Sequence, residues 1–428
     1  ILRVYHEISS KSSYCSFLTV LWYSSLMRTS TLTHDTSYNG FTVLDITPIP
    51  DFDSLGIWLR HEATGLEVFH MLNDDEENLF GFVFKTPPED STGAAHILEH
   101  SVLCGSKNYP LKDPFIRLGN QSVKTFLNAM TFPDKTVYPA SSLIETDYFN
   151  LMAVYGDAVF FPLLKKEIFL QEAHRLEIDE SGTVSIQGVV YNEMKGNYSS
   201  FESIVSDWTV RSILPGTAYA HDAGGDPAEI PNLSYEKFKN FHKKYYDPSN
   251  CRLFLYGNIS TEKQLDFLNE RFLHDPSFKS EPFARLLAGQ RDMESFSATE
   301  VKPFTSPVEC RVGGPSLSTE NSDENSGPTV LFSWLIGETE DPEQFMESVL
   351  ISQILLGHDG SPLSKALIDC GLGEDIAPNT GVESELRYLL FSVGLREMQE
   401  GKEGELEKVI IGTIQKLIQQ GVSEQVIE

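Results

Sequence analysis

The sequence predicts an α+β fold in two similarly built domains, on three observations. Strand-like and helix-like segments follow one another without the regular alternation of a doubly wound sheet. From about Pro276 to Pro328 the periodicity fails, and Ser318-Thr-Glu-Asn-Ser-Asp-Glu-Asn-Ser-Gly-Pro328 is polar, acidic and rich in turn formers. Beyond it an earlier pattern restarts: His100-Ser-Val-Leu-Cys-Gly105, with Pro110-Leu111 downstream, is echoed by Gln353-Ile-Leu-Leu-Gly357 with Pro362-Leu363 downstream. A chain of 428 residues has room for two domains of roughly 100–200 residues.

The elements follow in order. In Leu79–Thr86, Phe80, Phe82 and Phe84 alternate with smaller residues as in a half-buried strand, and Pro87-Pro88 ends it. A helix of Ala94 to Cys104 comes next, with Ser91 or Thr92 as the candidate cap and Gly105 to stop it. Further helices are predicted over Glu145–Phe161, from Val189 toward Trp208, over Tyr235–Tyr246 and over Thr261–Phe272, with a strand at Cys251–Tyr256. After the turn-rich stretch, a strand at Thr329–Ile336 leads into a helix opened by Asp341-Pro342. The predicted division is an N-terminal extension over 1–39, a first domain over 40–275, a linker over 276–328 and a second domain over 329–428. Ser423-Glu-Gln-Val-Ile-Glu428 reads as the opening of a helix cut short, so the second domain is expected to be truncated.

The extension begins at Ile1 and is Ser-rich, with an apolar patch, Phe17 to Tyr23, too short to span a bilayer. No small-residue cleavage site follows it, and Met27 is the expected natural start. No other segment approaches the length of a membrane span. With 40% hydrophobic and 22% charged residues the chain is of the globular class. Its 33 basic against 62 acidic residues, a net charge of −29, argue against nucleic acid and favour cationic partners or substrates, or solubility alone. Cys15, Cys104, Cys251, Cys310 and Cys370 are odd in number and form no CxxC pair, so neither a disulfide framework nor a thiolate zinc site is expected. A reducing compartment fits best.

One segment carries chemistry. In His96-Ile97-Leu98-Glu99-His100 the two histidines stand at i and i+4 of the predicted helix, so both imidazoles can reach one ion with Glu99 beside it. Two imidazoles and one carboxylate suit zinc and leave a fourth position for water. Glu99 is then placed to act as general base. Such a motif arises by chance about 0.04 times in a chain of this composition. The competing reading is a helix whose histidines are surface or satisfied core residues. For the third ligand Glu167, Glu172, Glu177 and Glu193 are candidates. Glu193 is best placed, at the opening of a helix in Gly188-Val-Val-Tyr-Asn-Glu-Met-Lys-Gly196, and Glu172 is second. Cys104, one turn beyond His100, is expected to pack rather than ligate. The second repeat has Gln353 near where His100 stood and no His-x-x-Glu-His, so chemistry belongs to the first.

His96-Ile-Leu-Glu-His-Ser-Val-Leu-Cys-Gly-Ser106, Tyr109-Pro-Leu-Lys112, Thr125-Phe-Leu-Asn-Ala-Met-Thr131, Pro133-Asp134 and the Gly188–Gly196 run closely resemble the presequence protease and falcilysin subfamily of pitrilysin-type metallopeptidases. The resemblance runs from about Gly40 to the end. It implies a zinc endopeptidase whose two homologous, pitrilysin-like halves close around unstructured peptides. One zinc ion is then held by His96, His100 and Glu193, with Glu99 as the base. Asn128 and Ala129 fall where the family's edge strand receives the substrate backbone, a mode in which main-chain bonds supply affinity. Ile116-Arg-Leu-Gly-Asn-Gln-Ser122 departs from the family's leucine-rich run, which leaves substrate contacts there open.

Relatives of this family run to about twice the length, and their second half supplies an Arg and a Tyr near the scissile carbonyl. A C-terminal half of the same polypeptide is therefore an expected partner, together with unstructured peptides, basic ones favoured by the charge. Neither nucleic acid nor membrane is expected. The location implied is cytoplasmic for a bacterial protein and mitochondrial or another organelle for a eukaryotic one. Two other readings stay open: a non-catalytic peptide-binding or scaffold subunit of this fold, and a zinc hydrolase acting on a non-peptide substrate.

Overall fold

A computed structural model describes residues 30–279, 300–301, 304, 306–314 and 327–422. Most of the predicted linker and residues 1–29 lie outside these. The contacts divide the described chain into two compact units, and the division departs from the predicted boundaries. One unit holds residues up to 86, 94–176 and 232–279; the other holds 87–93, 177–231 and those from 300 onward. The stretch 177–231, expected in the first domain, thus packs with the second unit. Hydrophobic patterning marks which residues are buried but not which core receives them.

The first unit is built on a nine-stranded sheet. Its strands, numbered along the chain, are β1 (Ser37–Tyr38), β2 (Phe41–Ile49), β3 (Ser54–His61), β4 (Glu67–Leu72), β5 (Asn78–Lys85), β6 (Phe126–Leu127), β7 (Met130–Thr131) and β8 (Lys135–Ser142). β9 (Arg175–Ile178) and β10 (Val184–Gln187) form a separate hairpin, and β11 (Cys251–Gly257) completes the large sheet. The order is β1-β2-β3-β4-β11-β5-β8-β6, with β7 also on β8; only β4 and β11 run parallel. The extension expected over 1–39 therefore overlaps the fold, since Ser37 and Tyr38 pair with Thr42 and Phe41.

Phe80, Phe82 and Phe84 alternate along β5 as read from the sequence and are fully buried on one face. Against that face packs α3 (Glu145–Phe160), following α1 (Ala94–Val102) and α2 (Pro114–Gln121) along the chain. Its Tyr148 and Tyr155 meet the Phe80 ring edge-on, each at 5.6 Å, and Phe160 meets Phe82 at 5.8 Å. Each buried aromatic of this kind contributes about 1.5–3 kcal/mol of apolar burial. α4 (Lys166–Glu172) follows α3 along the chain.

In the second unit the predicted helix from Val189 toward Trp208 is two: α5 (Val189–Asn197) and α6 (Phe201–Ile213). The break has a local cause, because Ser200 is extended and its hydroxyl accepts from Ser203 N, capping α6. Back in the first unit, α7 (Tyr235–Tyr245) and α8 (Thr261–Leu268) match their predicted spans closely, the latter running on into a π turn, Asn269–Leu273. β12 (Val330–Glu338), β13 (Asp375–Ile376), β14 (Gly381–Glu383) and β15 (Tyr388–Arg396) make the second unit's four-stranded sheet. Its core joins Val393 and Leu395 of β15 to residues of α9 (Pro342–Leu356), α10 (Pro362–Asp369) and α11 (Glu403–Gln420). Asp341 caps α9 as the sequence indicated, its carboxylate accepting from Glu343 N and Gln344 N, both at 3.1 Å. The order β5-α1-α2 is repeated as β12-α9-α10, and both short helices have Pro in their first turn.

Candidate active site

α1 carries the His-x-x-Glu-His segment in the first unit, and nearly the whole helix is buried. It ends at Val102, two residues short of the predicted Cys104, and beyond it Gly105 takes a φ of +124°; a Cβ there would stand 2.6 Å from the Leu111 carbonyl oxygen, so only glycine fits. Neither predicted cap is used as expected. The Thr92 hydroxyl donates to Asp90 Oδ1 at 2.5 Å, and the Ser91 hydroxyl accepts from Asp222 N at 3.1 Å. Both hydroxyls are thus committed to other partners in the second unit.

His96 is buried and His100 half-buried, their ring centroids 4.9 Å apart at 78°. His100 Nδ1 lies 3.2 Å from Glu172 Oε2. A carboxylate on one ring nitrogen is an arrangement common among histidines that ligate metals. Glu172, the second candidate for the third ligand, makes this contact. Burial pushes its carboxyl up, but the hydrogen bonds from His100 and Gln171, with the charge of His100, outweigh burial and hold it below its usual value. Cys104 donates to the His100 carbonyl oxygen at 3.4 Å, and burial beside Glu172 pushes its thiol up to about 12. The side chain is half-buried.

Glu193 lies on α5, which is anchored by buried Val190 and Met194 and leaves Glu193 exposed. His96 and His100 stand one turn apart on α1 in the first unit, and Glu193 stands on α5 in the second. Two imidazole nitrogens and a carboxylate oxygen are the donor set that zinc takes in hydrolases.

Glu99 is 7% exposed, and its Oε2 accepts from the Thr131 hydroxyl at 2.6 Å. Thr131 belongs to β7, at the edge of the large sheet. Asn128 and Ala129 lie between β6 and β7 on the same edge. Asn128 turns its backbone inward: its N–H donates to Pro139 O at 3.2 Å, and its carbonyl accepts from the Tyr155 hydroxyl at 3.0 Å. Burial, then the charge of Glu99, push the Tyr155 phenol well above its ordinary value, so it stays a donor. Sequence reasoning missed Thr131 and Tyr155. Thr131 closes the Thr125–Thr131 run, yet no spacing names Glu99 as its partner.

The profile described as "Insulinase (Peptidase family M16)" matches residues 86–195, which include every candidate site residue. A second profile, "Peptidase M16 inactive domain", matches 232–428. "Protein HypA" of Clostridium perfringens is 39% identical over 394 residues, 91% of this chain and 39% of that protein. "Presequence protease, mitochondrial" of Mus musculus is 38% identical over 397 residues, and "Presequence protease 1, chloroplastic/mitochondrial" of Arabidopsis thaliana 38% over 393. The chain spans 37% and 35% of these two proteins, well under half of their length. A protease from Helicobacter pylori has a TM-score of 0.59 at 16% identity, over 85% of this chain and 80% of that one. Pitrilysin has a TM-score of 0.58 at 16% identity, over 90% of this chain and 39% of that one. These two likenesses establish the fold as pitrilysin-like. With both M16 profiles, the relatives and the fold in agreement, the chain belongs to the pitrilysin-type M16 peptidase family, among its presequence-protease-like members.

Proposed function

We propose that the protein is a zinc metalloendopeptidase that hydrolyses unstructured peptides. His96, His100 and Glu193 would hold one zinc ion, and Glu99 would be the general base. The observation that carries this reading is the placement of Glu99: a buried side chain, one position before His100, with Oε2 accepting from the Thr131 hydroxyl. When bound, zinc supplies Lewis acidity, polarising a peptide carbonyl and acidifying a water molecule. Glu99 then takes the proton of the attacking water and hands it to the departing amine.

An extended peptide is proposed to lie along 126–131, hydrogen-bonded to the backbone at Ala129, with the Asn128 side chain, which is exposed, beside it. The net charge of −29 favours basic peptides. The word "inactive" attaches to residues 232–428, which hold none of the proposed ligands. Full turnover is proposed to draw on a C-terminal half of the same polypeptide, which the longer relatives have room for.

The test is Glu99→Gln, with zinc measured by mass spectrometry and cleavage followed on an unstructured basic peptide. The amide keeps the shape and removes the base, so zinc content should match the parent while turnover falls by about 10²–10⁴-fold. Undiminished cleavage by the variant would refute the role.

A further inference from the structure

A buried carboxylate is costly unless donors satisfy it, and Glu99 has few. Among the described residues its one hydrogen bond comes from Thr131, at 2.6 Å, within the short range of charge-assisted O–H···O⁻ bonds. The bond joins two elements of the first unit: the helix α1 that carries the histidines, and the edge strand β7.

Thr131 is itself held firmly. Its backbone pairs with Thr136 on β8, and the Thr136 hydroxyl is 2.7 Å from that of Thr86, both residues being fully buried. Three residues upstream, Asn128 is fixed through Tyr155 and Pro139. The segment 128–131 is thus pinned from the inside at both ends. A β-branched side chain adds stiffness, because its χ1 has few allowed settings.

We infer that Thr131 is the positioning residue for Glu99. Its hydroxyl fixes Oε2 and thereby aims Oε1 at the water to be deprotonated. Since Thr131 stands two residues beyond Ala129 on the edge segment, a peptide seated there braces the strand that orients the base. Docking and base alignment are then mechanically linked. The inference rests on the peptidase reading above, in which Glu99 is the base.

The experiment compares Thr131→Val, which keeps the shape and loses the hydroxyl, with Thr131→Ser, which keeps the hydroxyl, each in the full chain. Zinc content, kcat and KM on one unstructured peptide, and a crystal structure of each variant are measured. The valine variant should retain zinc and KM within about twofold, lose about 10–100-fold in kcat, and have a rotated Glu99 carboxylate. The serine variant should recover most of the rate and the carboxylate position. Parental kcat in the valine variant, or a serine variant as impaired as valine, would overturn the inference by making Thr131 a packing residue. An inactive parent would count against the proposed function instead, and the position of Glu99 in the valine structure would then decide the inference alone: an unmoved carboxylate refutes it.

Discussion

Replacing Glu172 and Glu193 one at a time by glutamine separates the residue that orients a ligand from the residue that is one. Glu172 is 5% exposed and accepts from His100 Nδ1 at 3.2 Å and from Gln171 Nε2 at 2.8 Å. Glutamine in its place can still offer one oxygen to His100, but the negative charge that raises the basicity of the imidazole is gone. Loss of such an outer carboxylate costs about 10–100-fold in metal affinity, or about 1.4–2.7 kcal/mol. Glu193→Gln removes one of three proposed protein ligands outright, and an amide oxygen is a poor substitute for a carboxylate on zinc. Its cost should exceed the upper end of that range, more than about 10²-fold. The assay is competition for zinc against a chromophoric chelator, with circular dichroism to confirm that both variants fold. If Glu172→Gln weakened zinc as much as Glu193→Gln or more, the assignment of ligand and orienting residue would be reversed.

Other outcomes follow from groups away from the metal. Burial, then the charge of Asp222, push the Asp207 carboxyl up to about 6, despite its pairing with Arg211. An unfolded Asp titrates near 3.9. The folded state therefore holds a proton that the unfolded chain releases, and stability falls as pH rises from about 4 to 6, by about 2–3 kcal/mol. Asp207→Asn should be increasingly stabilised over the parent across that window and level off above it, measured by denaturant unfolding; parallel curves would contradict the cause. In α3, a methyl group at Gly156 would overlap the buried Phe272 ring. Gly156→Ala should thus destabilise by about 1–3 kcal/mol although alanine favours helix, and a raised melting temperature would refute the overlap.

Where the chemistry is local, the sequence was legible. The i, i+4 spacing put His96 and His100 on one helix, and the Phe80-Phe82-Phe84 alternation marked the strand β5. Asp341-Pro342 marked the start of α9 because cap chemistry lies within four residues. Long-range partners were not legible. Glu172 looked like a rival ligand, since sequence spacing does not show that its carboxylate meets His100 Nδ1. Thr131 lies 32 residues from Glu99, and only the sheet brings it there. The short strands β6 and β7, two residues each, carry too little pattern to register. The assignment of 177–231 to the second unit was hidden for a related reason, since its helices read alike whichever core receives them.

The central claim is that His96, His100 and Glu193 hold zinc with nitrogen and oxygen donors alone. X-ray absorption at the zinc K-edge of the metal-loaded protein tests it most directly. The expected spectrum has two imidazole nitrogens and oxygen donors at about 2.0–2.2 Å and no sulfur shell. That spectrum should lose an oxygen donor in Glu193→Gln and keep its nitrogens. A sulfur neighbour at about 2.3 Å would bring Cys104 into the metal's shell, and contradict both the ligand set and the protonated state assigned to its thiol.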